Sequence, residues 1–213
     1  KASEKPLDEI LGNAQYLQKT MLQLLKLSDL EFNLTLDNSK HFVQPKDPLS
    51  DSLSQIYFLI EQFFFVSEYA SPRLIDKTKS IPVVVLSPSV QRSVALKTYL
   101  LAKLRERKQK YASKLRIAEL FGKHRKVESQ RMKLMDHTFA IAVTGPDRLQ
   151  KLCDLRCLNP QHFQLVILDM QKNVKNMNML DIYPMNKVLC EWMFGNLMDN
   201  IRKGKVKLAM VFS

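Results

Sequence analysis

Glycine is scarce: 213 residues hold five, and no run of the form G-x-x-x-x-G-K-[ST] occurs. Only Gly122 and Gly204 precede a lysine, and neither lysine is followed by Ser or Thr. The sequence therefore has no loop of backbone N–H groups to cradle a triphosphate and no hydroxyl placed for its magnesium. Cysteine is as sparse, with three residues, which excludes a disulfide scaffold and fits a reducing compartment. Cys153, Cys157 and His162 are metal-ligand types without a fourth nearby, so no metal site is expected. The four histidines fall in no triad spacing with Ser or Cys. The densest apolar run, residues 56–66, is broken by Glu61 and Gln62 and falls short of the roughly 20 residues a membrane span needs. No signal-peptide pattern opens the chain, so neither a membrane nor a secretory route is expected.

The composition that remains is globular, 46% hydrophobic and 25% charged. The net charge is +12, a surplus that calls for a polyanionic partner. It is unevenly placed. Residues 1–102 carry 11 cations and 11 carboxylates, whereas residues 103–133 carry 12 cations and 3 carboxylates. Arg105, Arg107, Lys108 and Lys110 form a first cluster, and Lys123, Arg125 and Lys126 a second. Cations are favoured at helix C-termini, so the first cluster alone also reads as a solvated helix end. Two clusters separated by one short strand point to nucleic acid, bound by counterion release and sensitive to salt.

Apolar residues at helical spacing place a helix over residues 8–27, through Ile10, Ala14, Leu17, Met21 and Leu24. Phe32, Leu34 and Leu36 alternate with polar residues and read as a strand, followed by a turn at Asp37-Asn38-Ser39. Residues 50–69 read as a second helix, apolar almost all round and hence buried. From residue 81 strands and helices alternate. Strands are expected at 81–86, 115–121, 139–143, 165–168 and 206–212. Helices are expected from Pro88 to about Arg107, with Val90, Val94, Leu101 and Leu104 inward, then at 125–135, from Pro146, and at 184–203. Thr144 reads as the cap of the helix that begins at Pro146. This alternation predicts a three-layer parallel α/β sheet, with function at the carboxyl ends of the strands.

Those strand ends resemble, in order and spacing, the first RecA-like domain of a DEAD-box RNA helicase. LSPSVQ, residues 86–91, is similar to the family's motif Ia, and Gly122 stands where the family has a glycine pair. TGPDRL, residues 144–149, resembles the Thr-Pro-Gly-Arg motif with its middle disturbed. VILD, residues 166–169, resembles the strand leading into the DEAD box, 21 residues after Arg148. Val211-Phe212-Ser213 is similar to the strand reaching the Ser-Ala-Thr motif. The chemistry is missing, however. The tetrad reads Asp169-Met170-Gln171-Lys172, so Met170 offers no base for an attacking water, and no second RecA-like domain follows in these residues. Together with LFGKHRKVESQ and the closing KLAMVF, these motifs are similar to the CMS ribosomal-small-subunit protein family.

The resemblance implies a degenerate, single RecA-like domain over residues 81–213, lacking a nucleotide-binding loop, with residues 1–80 as a helix-and-strand extension packed on it. It implies a non-catalytic assembly factor of the small-subunit processome in the nucleus and nucleolus, without a cofactor or small-molecule substrate. The expected partners are pre-ribosomal RNA and neighbouring processome proteins, the chain being monomeric within that particle. By the same resemblance Arg148, Ser89 and Gln91 are candidate RNA contacts beside the basic clusters. Phe63 and Phe65 admit two readings: a buried helix packed on the sheet, or a helix that docks into another factor. A protein-interaction scaffold without direct RNA contact stays open as the alternative function.

Overall fold

The computed structural model describes residues 12–44, 51–66, 80–107, 115–122 and 126–212. Ile10, the last residues of the helix expected over 50–69, and Ser213 lie outside the described residues. Five parallel strands form one sheet in the order β2-β3-β1-β4-β5, with β1 at Val83–Leu86, β2 at Ile117–Leu120, β3 at Ile141–Thr144, β4 at Leu165–Asp169 and β5 at Lys207–Val211. β1, β3 and β4 are buried on both faces, which is why they read as unbroken apolar runs. β2 lies at an edge and alternates, its half-buried Glu119 paired with Lys97. The architecture is a parallel α/β sheet covered by helices on both faces, as the alternation predicts.

The helices form two layers. Val83, Val85, Val143 and Ile167 project to one face, against α4 (Ser52–Glu61) and α5 (Val90–Glu106). Val84, Leu86, Ala142 and Leu168 project to the other, against α1 (Asn13–Leu25), α6 (Val127–Asp136), α7 (Pro146–Asp154) and α8 (Met185–Asn196). Trp192 of α8 is buried against Phe163, and Phe32 stacks on Phe194.

Several expectations are corrected. Residues 32–36 form no strand. Instead α2 (Asp29–Phe32) and α3 (Asn38–His41) are single helical turns held by local caps. Ser28 and Glu31 make a reciprocal capping box, Asn33 closes α2 in the left-handed region, and Asp37 caps α3 through the N–H groups of Ser39 and Lys40. Phe42 and Val43 then align parallel to β5: Phe42 bridges Leu208, and the Val43 N–H donates to the Leu208 carbonyl at 2.7 Å. α4 in turn packs on β4 and β5. The second helix stops being α-helical at Glu61 and continues as one π turn, Gln62–Val66.

On α5 the inward stripe is Ser93, Leu96, Leu100 and Leu104, while Val90 and Val94 are exposed, at 43% and 47%. The leucines at four-residue spacing carry the buried face back to Ser93 rather than to Val94. Ser93 tolerates that burial because its Oγ donates to the Ser89 carbonyl at 2.9 Å. The last helix breaks at Leu197 into α8 and α9 (Met198–Arg202). There the Asn196 side chain donates to the Trp192 carbonyl at 3.0 Å and competes with the helical ladder.

Candidate functional site at the carboxyl ends of the strands

The carboxyl ends divide into a sealed half and an open half. Over β4 the site is sealed. Asp169, with no side-chain exposure, accepts two hydrogen bonds from Arg92, from Nε at 2.7 Å and from Nη2 at 3.2 Å. The same Nη2 donates to Ser52 Oγ at 2.7 Å, in the first turn of α4. One guanidinium thereby joins the starts of α4 and α5 to the end of β4. Burial pushes the Asp169 carboxyl above its ordinary range, and the hydrogen bonds and charge of Arg92 pull the other way without cancelling it. Met170 is fully buried, and its N–H donates to the Val211 carbonyl at 2.8 Å. A thioether here takes up no proton, and a protein cation already occupies the carboxylate.

Over β1, β2 and β3 the ends open into a cleft of about 350 Å³, lined by Ser87, Ser89, Gly122, Gly145, Arg148 and Lys151 among others. Two helices begin there. Ser89 caps α5 by accepting the Arg92 N–H at 3.1 Å, and Gly145 precedes Pro146 at the start of α7 with no side-chain cap. Helix N-termini offer free N–H groups and partial positive charge to an anion. The third wall is Gly122, whose φ of +147° only glycine adopts readily. Its carbonyl accepts Arg148 Nη2 at 3.2 Å, while Arg148 Nη1 is buried without a partner. Thr144 does not cap α7. Its Oγ1 donates to the Leu120 carbonyl at 2.8 Å, tying the end of β3 to the end of β2 and fixing the cleft floor.

Of the residues expected at an RNA site, the structure brings Ser89 and Arg148 together in this cleft. Gln91 is exposed on the first turn of α5 and does not line it. Lys126 is exposed at the start of α6, four residues beyond Gly122. Lys108, Lys110, Lys123 and Arg125 lie outside the described residues. Arg105 is exposed near the far end of α5, about 24 Å along the helix from Ser89. Arg107 is engaged within the fold, ion-paired with Glu61 and stacked over the Phe65 ring at 4.2 Å. The described members of the basic stretch therefore form no single patch: β2 runs between Arg105 and Lys126 and sets them at opposite ends of the sheet. Phe63 and Phe65 are half-buried on the π turn and pack against the α4–α5 core.

Sequence reasoning misses Arg92 and Lys151. A cap followed three residues later by arginine carries no sign that its partner lies 77 residues away. Lys151 joins Arg148 in the cleft only because one helical turn separates them on α7. The three cysteines form no disulfide, and burial pushes the Cys153 and Cys190 thiols up to about 12, which leaves these two unreactive. Among the described residues no group of His, Cys, Asp and Glu is placed to hold a metal ion.

A family model described as "U3-containing 90S pre-ribosomal complex subunit" (CMS1) matches residues 3–211. "Protein CMSS1" of Danio rerio is 26% identical over 135 residues, which are 63% of this chain and 44% of that protein. The chain thus spans less than half the length of this curated relative. Among solved structures, the yeast DEAD-box splicing factor Prp28 superposes with a TM-score of 0.57 at 15% identity, covering 100% of this chain and 46% of that one. That likeness establishes the RecA-like fold of DEAD-box proteins, with the motif-bearing strands in one parallel sheet. With the family model matching nearly its whole length, the chain belongs to the CMS1 family of U3-containing 90S pre-ribosomal complex subunits.

Proposed function

We propose that this chain serves the 90S pre-ribosome as a non-catalytic factor that holds pre-ribosomal RNA in the cleft over β1, β2 and β3, in the nucleolus. The observation that carries this reading is the convergence of two helix starts, Arg148 and Lys151 on one open cleft. Free N–H groups and paired cations suit successive phosphates of a single strand, and binding of that kind falls steeply with salt. The sealed half supports the absence of turnover. Arg92 already neutralises Asp169, Met170 offers no base, and the sequence has no phosphate-cradling loop. A factor of this kind occupies an RNA site during folding and leaves without hydrolysis.

The test is in-cell ultraviolet cross-linking with sequencing of the attached RNA, for the natural chain and for Arg148→Glu with Lys151→Glu. Discrete cross-links in pre-ribosomal RNA that the double variant loses, with its fold intact, support the reading. Association with pre-ribosomes that survives the double variant, without cross-links, overturns RNA holding at the cleft and leaves a protein scaffold. Magnesium-ATP is expected to leave the melting temperature unchanged, and a ligand-dependent rise would overturn the non-catalytic reading.

A further inference from the structure

Phe42 and Val43 lie parallel to β5, and α4 opens a few residues later with Ser52, the strand-to-helix order of a phosphate-binding unit. Counted back from Ser52, the run PKDPLSDS (residues 45–52) keeps only the last residue of G-x-x-x-x-G-K-[ST]. Pro45 and Ser50 stand at the glycine positions, and Asp51 stands at the lysine position. In a working unit the backbone N–H groups at the helix start hold phosphate, while the hydroxyl and a strand-end aspartate hold magnesium. Here Asp51 Oδ1 accepts the Leu53 and Ser54 N–H groups at 3.0 and 3.1 Å, so a carboxylate of the chain takes the anion position. Ser52 Oγ and Asp169 both accept from Arg92, so a guanidinium takes the cation position. These residues do not fit a magnesium nucleotide, because the anion and the cation it would bring are supplied from within.

We propose that these internal charges hold α4, α5 and β4 in one permanent arrangement and that Arg92 is thereby the positioning residue of the RNA cleft, whose grip needs no nucleotide, a role that rests on the reading of that cleft as an RNA site. The link is the first turn of α5. Ser89, Val90 and Ser93 line the cleft, and Arg92 belongs to the same turn. Its N–H donates to Ser89 Oγ at 3.1 Å, and the Ser89 carbonyl accepts both the N–H and the Oγ of Ser93 at 2.9 Å. The helix leaves the N–H groups of Val90 and Gln91 unpaired, and these face an anion only if the turn is correctly placed. The Arg92 fork places it, since Nε and Nη2 serve Asp169 at the end of β4 while Nη2 also serves Ser52 at the start of α4. Directed, charge-assisted hydrogen bonds set one position for the turn, which apolar side chains of similar volume do not.

The experiment follows the fluorescence anisotropy of a labelled single-stranded oligouridylate titrated with the whole chain. Arg92→Met with Asp169→Leu removes one cation and one carboxylate, so the net charge of +12 and the long-range attraction to RNA are unchanged. A pair that served stability alone would leave this variant binding like the natural chain wherever both are folded. Positioning predicts binding weaker by about tenfold or more at a temperature where both are folded, the value of one charge-assisted hydrogen bond lost from the start of α5. Arg92→Lys keeps the charge without the fork and is the deciding variant should the double one not fold; severalfold weaker binding is expected of it. Magnesium-ATP should leave the affinity of the natural chain unchanged. Equal binding by the deciding variant, or an affinity that depends on nucleotide, overturns the proposal alone, provided that Arg148→Glu with Lys151→Glu abolishes binding. Binding that survives Arg148→Glu with Lys151→Glu, or no saturable binding by the natural chain, overturns the RNA cleft and this role of Arg92 together.

Discussion

Removing one member of the Arg92–Asp169 pair is expected to be among the most damaging single changes in the chain. The Asp169 side chain is fully buried and that of Arg92 is 12% exposed, so whichever charge remains is stranded away from water. Breaking such a pair costs about 3–5 kcal/mol, whereas replacing both members by apolar residues is often neutral or better. For a chain of this size about 2–4 °C in melting temperature accompanies each kcal/mol, so Asp169→Asn or Arg92→Ala should lower it by about 6–20 °C. The double change Arg92→Met with Asp169→Leu should recover most of that loss, and urea denaturation of the natural chain, this double variant and its two component single variants gives the coupling energy directly. Arg92 Nη2 also serves Ser52 Oγ, yet Arg92→Ala should be far worse than Ser52→Ala, because only the former strands a charge. Single variants within about 1 kcal/mol of the natural chain would refute the reasoning, since they would show that water reaches the pair.

Other outcomes follow from the same geometry. Thr144→Val should cost about 1–3 kcal/mol by urea denaturation, because the buried Leu120 carbonyl loses its donor. Gly122→Ala should cost about 1–3 kcal/mol, since a φ of +147° strains any side chain, and it should weaken RNA binding by moving the carbonyl that holds Arg148. His41 is held below its ordinary value chiefly by burial, and its Nδ1 accepts the Asp37 N–H at 2.9 Å, which requires the neutral ring. Its contribution to stability is therefore fully present above the unfolded pKa of about 6.5 and is lost as pH falls through the lower folded value. Melting curves recorded between about pH 5 and 7.5 should show that slope, and His41→Gln should flatten it.

The motifs at the strand ends are legible in the sequence because each depends on local residues. Pro146 suits the first turn of a helix, and an unbroken apolar run suits a strand covered on both faces. Residues 28–43 mislead for a related reason. Alternation of Phe32, Leu34 and Leu36 mimics a strand, but Ser28, Glu31 and Asp37 satisfy the backbone locally and win over a pattern only five residues long. The basic stretch is legible as charge and not as a surface, because sequence distance does not reveal that β2 carries the chain from one end of the sheet to the other.

Residue identity and short-range spacing alone settle the alternation of strands and helices, the missing phosphate loop, the loss of a base at Met170 and the family to which the motifs point. Which charges meet is a matter of the folded sheet. Folding gives Asp169 to Arg92, Arg107 to Glu61 and Phe65, and Arg148 to the cleft beside Lys151. Pairings of this kind are set by the order in which strands lie side by side, and strand order brings together residues that no local pattern relates.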